Sequence, residues 1–99
     1  MTNLKLVLVS QTKCGPCAVM KNQVLSRMDE LTEIGAEFEY INLDGLEDKD
    51  TFIEKHKLSS TPTTWVQKDG QTVKEFTGYI DIDTLFAWVI DIKEDDLNV

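Results

Sequence analysis

The pattern of apolar and polar residues predicts an α/β fold, in which a mixed four-stranded sheet is flanked by three helices in the order β-α-β-α-β-β-α. An apolar run over residues 4–10 is typical of a buried strand, and residues 15–34 repeat their apolar positions at helical spacing. Residues 63–67 and 72–77 resemble strands and flank an Asp-Gly turn, which predicts a hairpin. Strands joined through a helix are expected to be parallel, and the strands of the hairpin antiparallel.

Residues that begin or end helices and strands set the other boundaries. Gly35 ends the first helix, since glycine is common just past a helix C-terminus. Residues 37–43 alternate polar and apolar side chains and predict the second strand. Residues 47–57 predict a short helix with an acidic first turn and a basic last turn. The last helix is predicted from about Asp81, a favourable N-cap residue, to about Ile92.

Length and composition indicate one domain with an acidic surface. Of the 99 residues, 41% are apolar, which suffices for one core; we place it over residues 4–92, with an acidic tail over 93–99. The net charge of −8 argues against nucleic acid or an anionic membrane as a partner. No apolar run approaches the roughly 20 residues that span a membrane, and the first residues lack the pattern of a secretory signal. We therefore expect a cytoplasmic protein.

The two cysteines of the chain stand in the motif Cys14-Gly15-Pro16-Cys17, between the first strand and the first helix. The unpaired N–H groups at a helix N-terminus stabilise an anion, so we expect the pKa of the Cys14 thiol to lie below the usual value of about 8.5. Pro16 suits the first helical turn, where its missing N–H costs nothing. Cys17 follows one turn later and can attack a mixed disulfide on Cys14. This spacing predicts a dithiol redox site, with Cys14 as the attacking thiol and Cys17 as the resolving one.

Three other interpretations of the two cysteines fit the sequence less well. A structural zinc site usually takes four Cys or His ligands, and only His56 could join the pair, so we expect no bound metal. A structural disulfide would close too short a loop to constrain the chain strongly. Two inert core cysteines would not need the Gly-Pro insert between them. His56 itself is interpreted as a surface residue near a helix end rather than a base.

The element order, the Cys-Gly-Pro-Cys motif and the segment Thr61-Pro62-Thr63 together resemble the thioredoxin family. The resemblance covers nearly the whole chain; further matching positions are Asn42-Leu43-Asp44, Lys68-Asp69-Gly70 and Gly78. It implies a minimal thioredoxin-like fold without the usual N-terminal strand and helix. It also implies a thiol–disulfide oxidoreductase that reduces protein disulfides, with a reduction potential near roughly −270 mV.

The resemblance also implies which residues surround the dithiol. The residues expected to support the active site are Lys13, Gly15, Pro16 and Pro62. A cis peptide bond is expected before Pro62. The backbone of Thr61 is expected to pair with an extended segment of the client, with Gly78 as a further substrate contact.

The same resemblance implies the source of electrons and the partners. No bound cofactor is expected, because the Cys14–Cys17 disulfide itself carries the electrons. These should come from NADPH through a thioredoxin reductase and pass to client proteins that carry disulfides. The protein is expected to act as a monomer.

Three residues near the motif depart from the family pattern. Lys13 replaces the usual Trp before the first cysteine; its charge either favours the Cys14 thiolate or is screened by solvent. In either case an aromatic surface that partners commonly touch is lost. Ser10 replaces a second Trp. Asn22 replaces a proline inside the first helix, so this helix is expected to be straighter than in larger relatives.

A buried charge pair of the family is also missing. Leu8 stands where a buried Asp is usual, and Tyr40 stands where its Lys partner is usual. The two charges are expected to be lost together, since either one alone would be costly to bury. The consequence is that no carboxylate is evident to deprotonate Cys17.

Two alternative functions remain open from the sequence. One is a glutaredoxin-like enzyme recharged by glutathione, favoured by the short chain, by Lys13, and by Gly78 followed by Asp81 and Asp83. The other is a thioredoxin-fold adaptor that binds a partner protein and whose dithiol is incidental.

Overall fold

The computed structural model describes residues 3–97 and the side chains of residues 3–94. Its elements, in chain order, are β1 Leu4–Ser10, α1 Gly15–Ser26, α2 Met28–Ile34, β2 Ala36–Asn42, a 3-10 helix Leu43–Gly45, α3 Lys49–His56, β3 Thr63–Lys68, β4 Gln71–Thr77 and α4 Ile82–Leu97. The sheet has the order β2-β1-β3-β4, with β1 parallel to β2 and antiparallel to β3, and β3 antiparallel to β4. The predicted α/β class and the mixed four-stranded sheet are confirmed.

The first predicted helix is in fact two helices, so residues 3–97 contain four α-helices rather than three. The break is at Arg27, whose φ of −125° and ψ of 30° lie outside the helical region. The Arg27 guanidinium binds Glu30 in α2 and Asp83 in α4, and it lies 5.2 Å from the centre of the Phe86 ring. These contacts hold the chain at the break. The prediction of a single helix over residues 15–34 is therefore wrong, although α1 runs without interruption through Asn22.

The ends of α2 and α3 follow the residues expected to set them. Gly35 has a φ of 89°, in the left-handed region that favours glycine, and it closes α2. Helix α3 lies within the predicted range 47–57. Its N-cap is Asp48, whose carboxylate accepts the N–H of Thr51 at 3.1 Å.

Helix α4 begins where predicted but ends later. The Asp81 carboxylate accepts the N–H of Thr84 at 3.0 Å and so caps the helix. The helix then continues to Leu97, beyond the predicted end at Ile92, because no Gly or Pro follows to stop it. Most of the predicted tail is thus helical, and its last two residues, 98 and 99, lie outside the described residues. None of the helices within residues 3–97 is both long and apolar enough to cross a membrane.

Both faces of the sheet contribute to the core, and β1 lies at its centre. On one face, the three leucines of β1 cluster with buried residues of α1, α2 and α4. On the other face, Val7 and Val9 cluster with Trp65 and with apolar residues of α3. A strand buried on both faces is held firmly by packing. It ends at Ser10, and the cysteine motif follows four residues later.

Candidate active site

The loop from β1 to α1 places Cys14 at the N-terminus of α1. Lys13 has a φ of 65°, which turns the backbone sharply just before the motif. Cys14 is the N-cap residue, and its Sγ accepts the N–H of Cys17 at 3.3 Å. Pro16 lies in the first helical turn, as expected. The Cys14 sulfur therefore lies where the helix presents an N–H donor to it.

Cys14 and Cys17 form a disulfide, with a Cα–Cα distance of 5.2 Å. The two sulfurs differ in environment: Cys17 is buried, with 1% of its surface exposed, whereas Cys14 is partly exposed. Lys13, Gly15 and Pro16 are exposed around it. Cys14 is therefore accessible from solvent, while Cys17 is shielded by the protein.

Asp44 anchors the loop that leads to the cysteines, a role that the sequence did not predict. Its carboxylate accepts the N–H of Thr12 at 2.7 Å and the ammonium of Lys49 at 2.7 Å. The hydrogen bond from Lys49, followed by those from Thr12, lowers the pKa of Asp44 to about 2. Asn42 in turn accepts the N–H of Asp44 at 2.9 Å. The family match at residues 42–44 was the only sequence signal for this contact.

Thr61, Pro62 and Gly78 meet at the same end of the sheet as the cysteine motif. The pairing of β1 with β3 sets Thr63 opposite Val9, which brings the start of β3 beside the end of β1. The Thr61–Pro62 peptide bond is cis, as expected. The N–H of Gly78 donates to the Pro62 carbonyl at 2.7 Å. Pro62 is buried, while Thr61 and Gly78 are partly exposed.

Where the resemblance implies a buried ion pair, this chain has an apolar side chain and hydroxyl groups. Leu8 is 2% exposed and pairs with Tyr40 across β1 and β2. The Tyr40 hydroxyl donates to the buried Ser10 Oγ at 2.8 Å. The ammonium of Lys21 lies 4.4 Å from the centre of the Tyr40 ring. Leu8, Ser10 and Tyr40, which all depart from the family pattern, are thus accommodated without an unpaired buried charge.

A groove of about 470 Å³ opens beside Cys14 on the α1 and β2 side. We call it the Tyr40 groove; the residues that line it are Gln11, Thr12, Lys13, Cys14, Gly15, Ala18, Tyr40 and Asn42. It is open to solvent, and Cys14 forms part of its wall. No sequence motif indicates this groove, because its walls come from separate segments of the chain.

His56 has a structural role in α3. Its ring lies 4.4 Å from the ring of Phe52 and 4.9 Å from that of Trp65, measured between ring centres. Among the described side chains, no group of three or more His, Cys, Asp and Glu residues is arranged to hold a metal ion. These aromatic contacts account for His56 as a packing residue of α3.

Comparison with known families places the chain in one of them. A family model described as a thioredoxin-like domain matches residues 2–93. The chain therefore belongs to the thioredoxin-like domain family. A comparison with curated proteins found no significant match.

Solved thioredoxin structures share the fold over most of the chain. The thioredoxin of Fasciola hepatica is 26% identical, with a TM-score of 0.71, over 92% of this chain and 81% of that one. The germline-specific thioredoxin Deadhead of Drosophila melanogaster is 25% identical, with a TM-score of 0.73, over 90% and 80%. Thioredoxin f2 of Chlamydomonas reinhardtii has a TM-score of 0.77 over 92% and 80%; at 20% identity it shows the fold alone.

Fold and site together define a general chemistry. A thioredoxin-like fold that carries a Cys-x-x-Cys pair at the start of a helix supports thiol–disulfide oxidoreductase activity. The Cys14 sulfur lies at a helix N-terminus, a position that favours negative charge, and Cys17 is bonded to it.

Proposed function

We propose that this protein reduces disulfides of client proteins through a Cys14/Cys17 dithiol. The observation that carries the proposal is the unequal exposure of the two bonded cysteines: Cys14 is reachable and caps α1, and Cys17 is buried. An attacking thiolate must meet the client, whereas a resolving thiol needs to reach only the mixed disulfide.

The reaction proceeds in two exchanges that balance in atoms and electrons. The Cys14 thiolate attacks one sulfur of the client disulfide, forming a mixed disulfide and releasing the other client sulfur as a thiolate, which takes a proton from water. Cys17 then loses its proton and attacks the Cys14 sulfur. The second client thiolate leaves, the Cys14–Cys17 disulfide forms, and two electrons have passed to the client.

The surroundings of the cysteines determine how protons move in these exchanges. The N–H of Cys17 stabilises negative charge on the Cys14 sulfur, to which it donates at 3.3 Å. Leu8 offers no carboxylate for the proton of Cys17, so that proton passes to water. We therefore expect the second exchange to quicken as pH rises, since hydroxide accepts the proton more readily.

Client binding is proposed at the end of the sheet beside the motif. The backbone of Thr61, before the cis bond to Pro62, pairs with an extended client segment, as in strand addition. Gly78 borders the same segment because its N–H is fixed on the Pro62 carbonyl. Lys13, Gly15 and Pro16 are exposed around Cys14 and form the rim that the client meets there.

The proposed electron source is NADPH acting through a thioredoxin reductase. The protein holds no cofactor of its own in this scheme, since the disulfide of Cys14 and Cys17 is the group that cycles. We propose that it works as a monomer in the cytoplasm. Its partners are then the reductase and disulfide-bearing clients.

The experiment compares Cys14→Ser and Cys17→Ser with the unmodified protein in the reduction of insulin disulfides by dithiothreitol. We expect Cys14→Ser to lose all acceleration. Cys17→Ser should accumulate a mixed disulfide with the client, visible by mass spectrometry without reductant. If Cys14→Ser accelerates reduction as well as the unmodified protein does, the proposal is wrong and the adaptor function is favoured.

A further inference from the structure

The Tyr40 groove carries positive charge in an acidic protein. The net charge of the chain is −8, yet the groove residues include the Lys13 ammonium and no carboxylate. Lys21 adds a second ammonium over the ring of Tyr40, which forms one wall. The carboxylate next to the groove, that of Asp44, is already bound by Thr12 and Lys49. Lys13 thus carries the one full charge among the lining residues of the groove, and Lys21 adds positive charge beside its Tyr40 wall.

Uncharged hydrogen-bond donors in the groove also favour a negatively charged ligand. The Asn42 side-chain oxygen accepts the N–H of Asp44, so its amide NH₂ remains to donate elsewhere. Gln11 adds a second side-chain amide on the same wall. An ammonium with amide N–H donors beside it is the chemistry that binds a carboxylate.

The position of the groove limits what can enter it. Cys14 forms part of its wall, so a side chain that enters while Cys14 attacks must lie close along the client chain to the reacting cysteine. A volume of about 470 Å³ holds one or two side chains rather than a folded segment. Both facts point to a residue that flanks the disulfide of the client.

We propose that the Tyr40 groove binds an acidic side chain, Asp or Glu, next to the reacting disulfide of the client. This inference rests on the proposed function and adds a client preference to it. Lys13, which replaces the family's Trp, then determines specificity: it exchanges an aromatic contact for a charge contact. Lys13 makes no ion pair within the described side chains, so its ammonium is available to the client.

The test uses three disulfide-bridged peptides that are identical except for Glu, Gln or Lys beside one cysteine. The measured quantity is the ratio of kcat/KM for the Glu peptide to that for the Lys peptide. Any change in thiolate reactivity cancels in this ratio. At low ionic strength we expect a ratio of about fivefold for the unmodified protein, the size of an exposed ion pair. In about 1 M salt the ratio should approach one.

Charge variants assign the preference to the groove. Lys13→Glu should invert the ratio, and Lys21→Glu should lower it. Lys93→Glu, with the same change in net charge, is the matched control. Lys93 lies near Gly35, at the start of β2 and the opposite end of the sheet from Cys14, so its variant should keep the ratio.

The outcomes separate this inference from the proposed function. If all three peptides are reduced equally, or if Lys13→Glu and Lys93→Glu shift the ratio alike, the groove inference is wrong and the reductase proposal stands. If no peptide is reduced faster than by dithiothreitol alone, the proposed function fails and the inference fails with it.

Discussion

Among single residues, Leu8 sets the limit on proton transfer at this site. It is buried at 2% exposure in the strand that leads to the motif, and its neighbour across the sheet is Tyr40. The hydroxyl of Tyr40 donates to Ser10, and this hydrogen bond involves no ionised group. In the proposed reaction, the proton of Cys17 therefore passes to water rather than to a carboxylate.

Replacing Leu8 with Asp should make stability depend on pH. Burial raises the pKa of the new carboxyl in the folded state above the unfolded value of about 3.9, so the folded state binds more protons. The free energy of unfolding of Leu8→Asp should be highest below about pH 4 and should fall as pH rises through the folded-state pKa. Denaturant unfolding at several pH values measures this.

The matched control for this prediction is Leu8→Asn, which has similar shape and polarity but does not ionise. Both variants should lose roughly 2–5 kcal/mol at low pH, from lost apolar packing. Only Leu8→Asp should lose more as pH rises. Parallel curves for the two variants between pH 4 and 8 would show that the site is hydrated rather than buried.

Asp44 gives a second prediction, with the opposite sign. Its folded-state pKa is lowered to about 2, so it stabilises the fold fully above its ordinary value of 3.8, and this contribution is lost as pH falls toward 2. Asp44→Asn should therefore lose less stability between pH 4 and 2 than the unmodified protein does. Acid unfolding curves of the two proteins measure the difference; identical slopes would mean that the contacts of Asp44 with Lys49 and Thr12 do not persist in solution.

At the scale of elements, helix ends and strand register bring the site together. The antiparallel register of β1 and β3 brings Thr61 and Pro62 beside the loop that carries Cys14. The start of α1 supplies the N–H that bonds to the sulfur. Neither element forms the site alone, and each is fixed by packing far from it.

A substitution at the end of α2 tests how much one helix cap contributes to the free energy of unfolding. Gly35 has a φ of 89°, and an added Cβ would meet only the Lys93 side-chain end at 3.8 Å, so no clash opposes substitution. Gly35→Ala should cost about 1–2 kcal/mol for the left-handed backbone alone. Gly45→Ala is the control, because Gly45 lacks a positive φ and has open space around it. Equal stability of the two variants would contradict the assigned cap.

Apolar runs and alternation predicted the strands, and the acidic first turn of α3 and the N-cap residue Asp81 predicted the starts of α3 and α4, because all of these signals are local. The break at Arg27 could not be predicted this way. Its partner Asp83 lies 56 residues away, so nothing within the helical pattern indicates that the chain turns there. The late end of α4 was missed for a different reason: the predicted boundary rested on the last core position, Ile92, rather than on a residue that stops a helix.

At the scale of the whole molecule, more of the core than of the site can be predicted from the sequence. The alternation and apolar runs that define the core are continuous along the chain, and so is the cysteine motif. Asp44 and the Tyr40 groove depend on contacts across the β1–β2 crossover, such as that between Thr12 and Asp44, 32 residues apart. Such contacts depend on the fold and can be identified only when the fold is known.

The reduction potential of the Cys14–Cys17 pair tests the central claim most directly. The protein is equilibrated with dithiothreitol buffers and then with glutathione buffers, and the oxidised fraction is measured by alkylation and mass spectrometry. We expect a value near roughly −270 mV, at which the protein acts as a reductant of the thioredoxin type. A value about 60 mV or more higher, a shift of roughly 2.8 kcal/mol, would contradict this account, because glutathione could then reduce the pair and the glutaredoxin-like function would take its place.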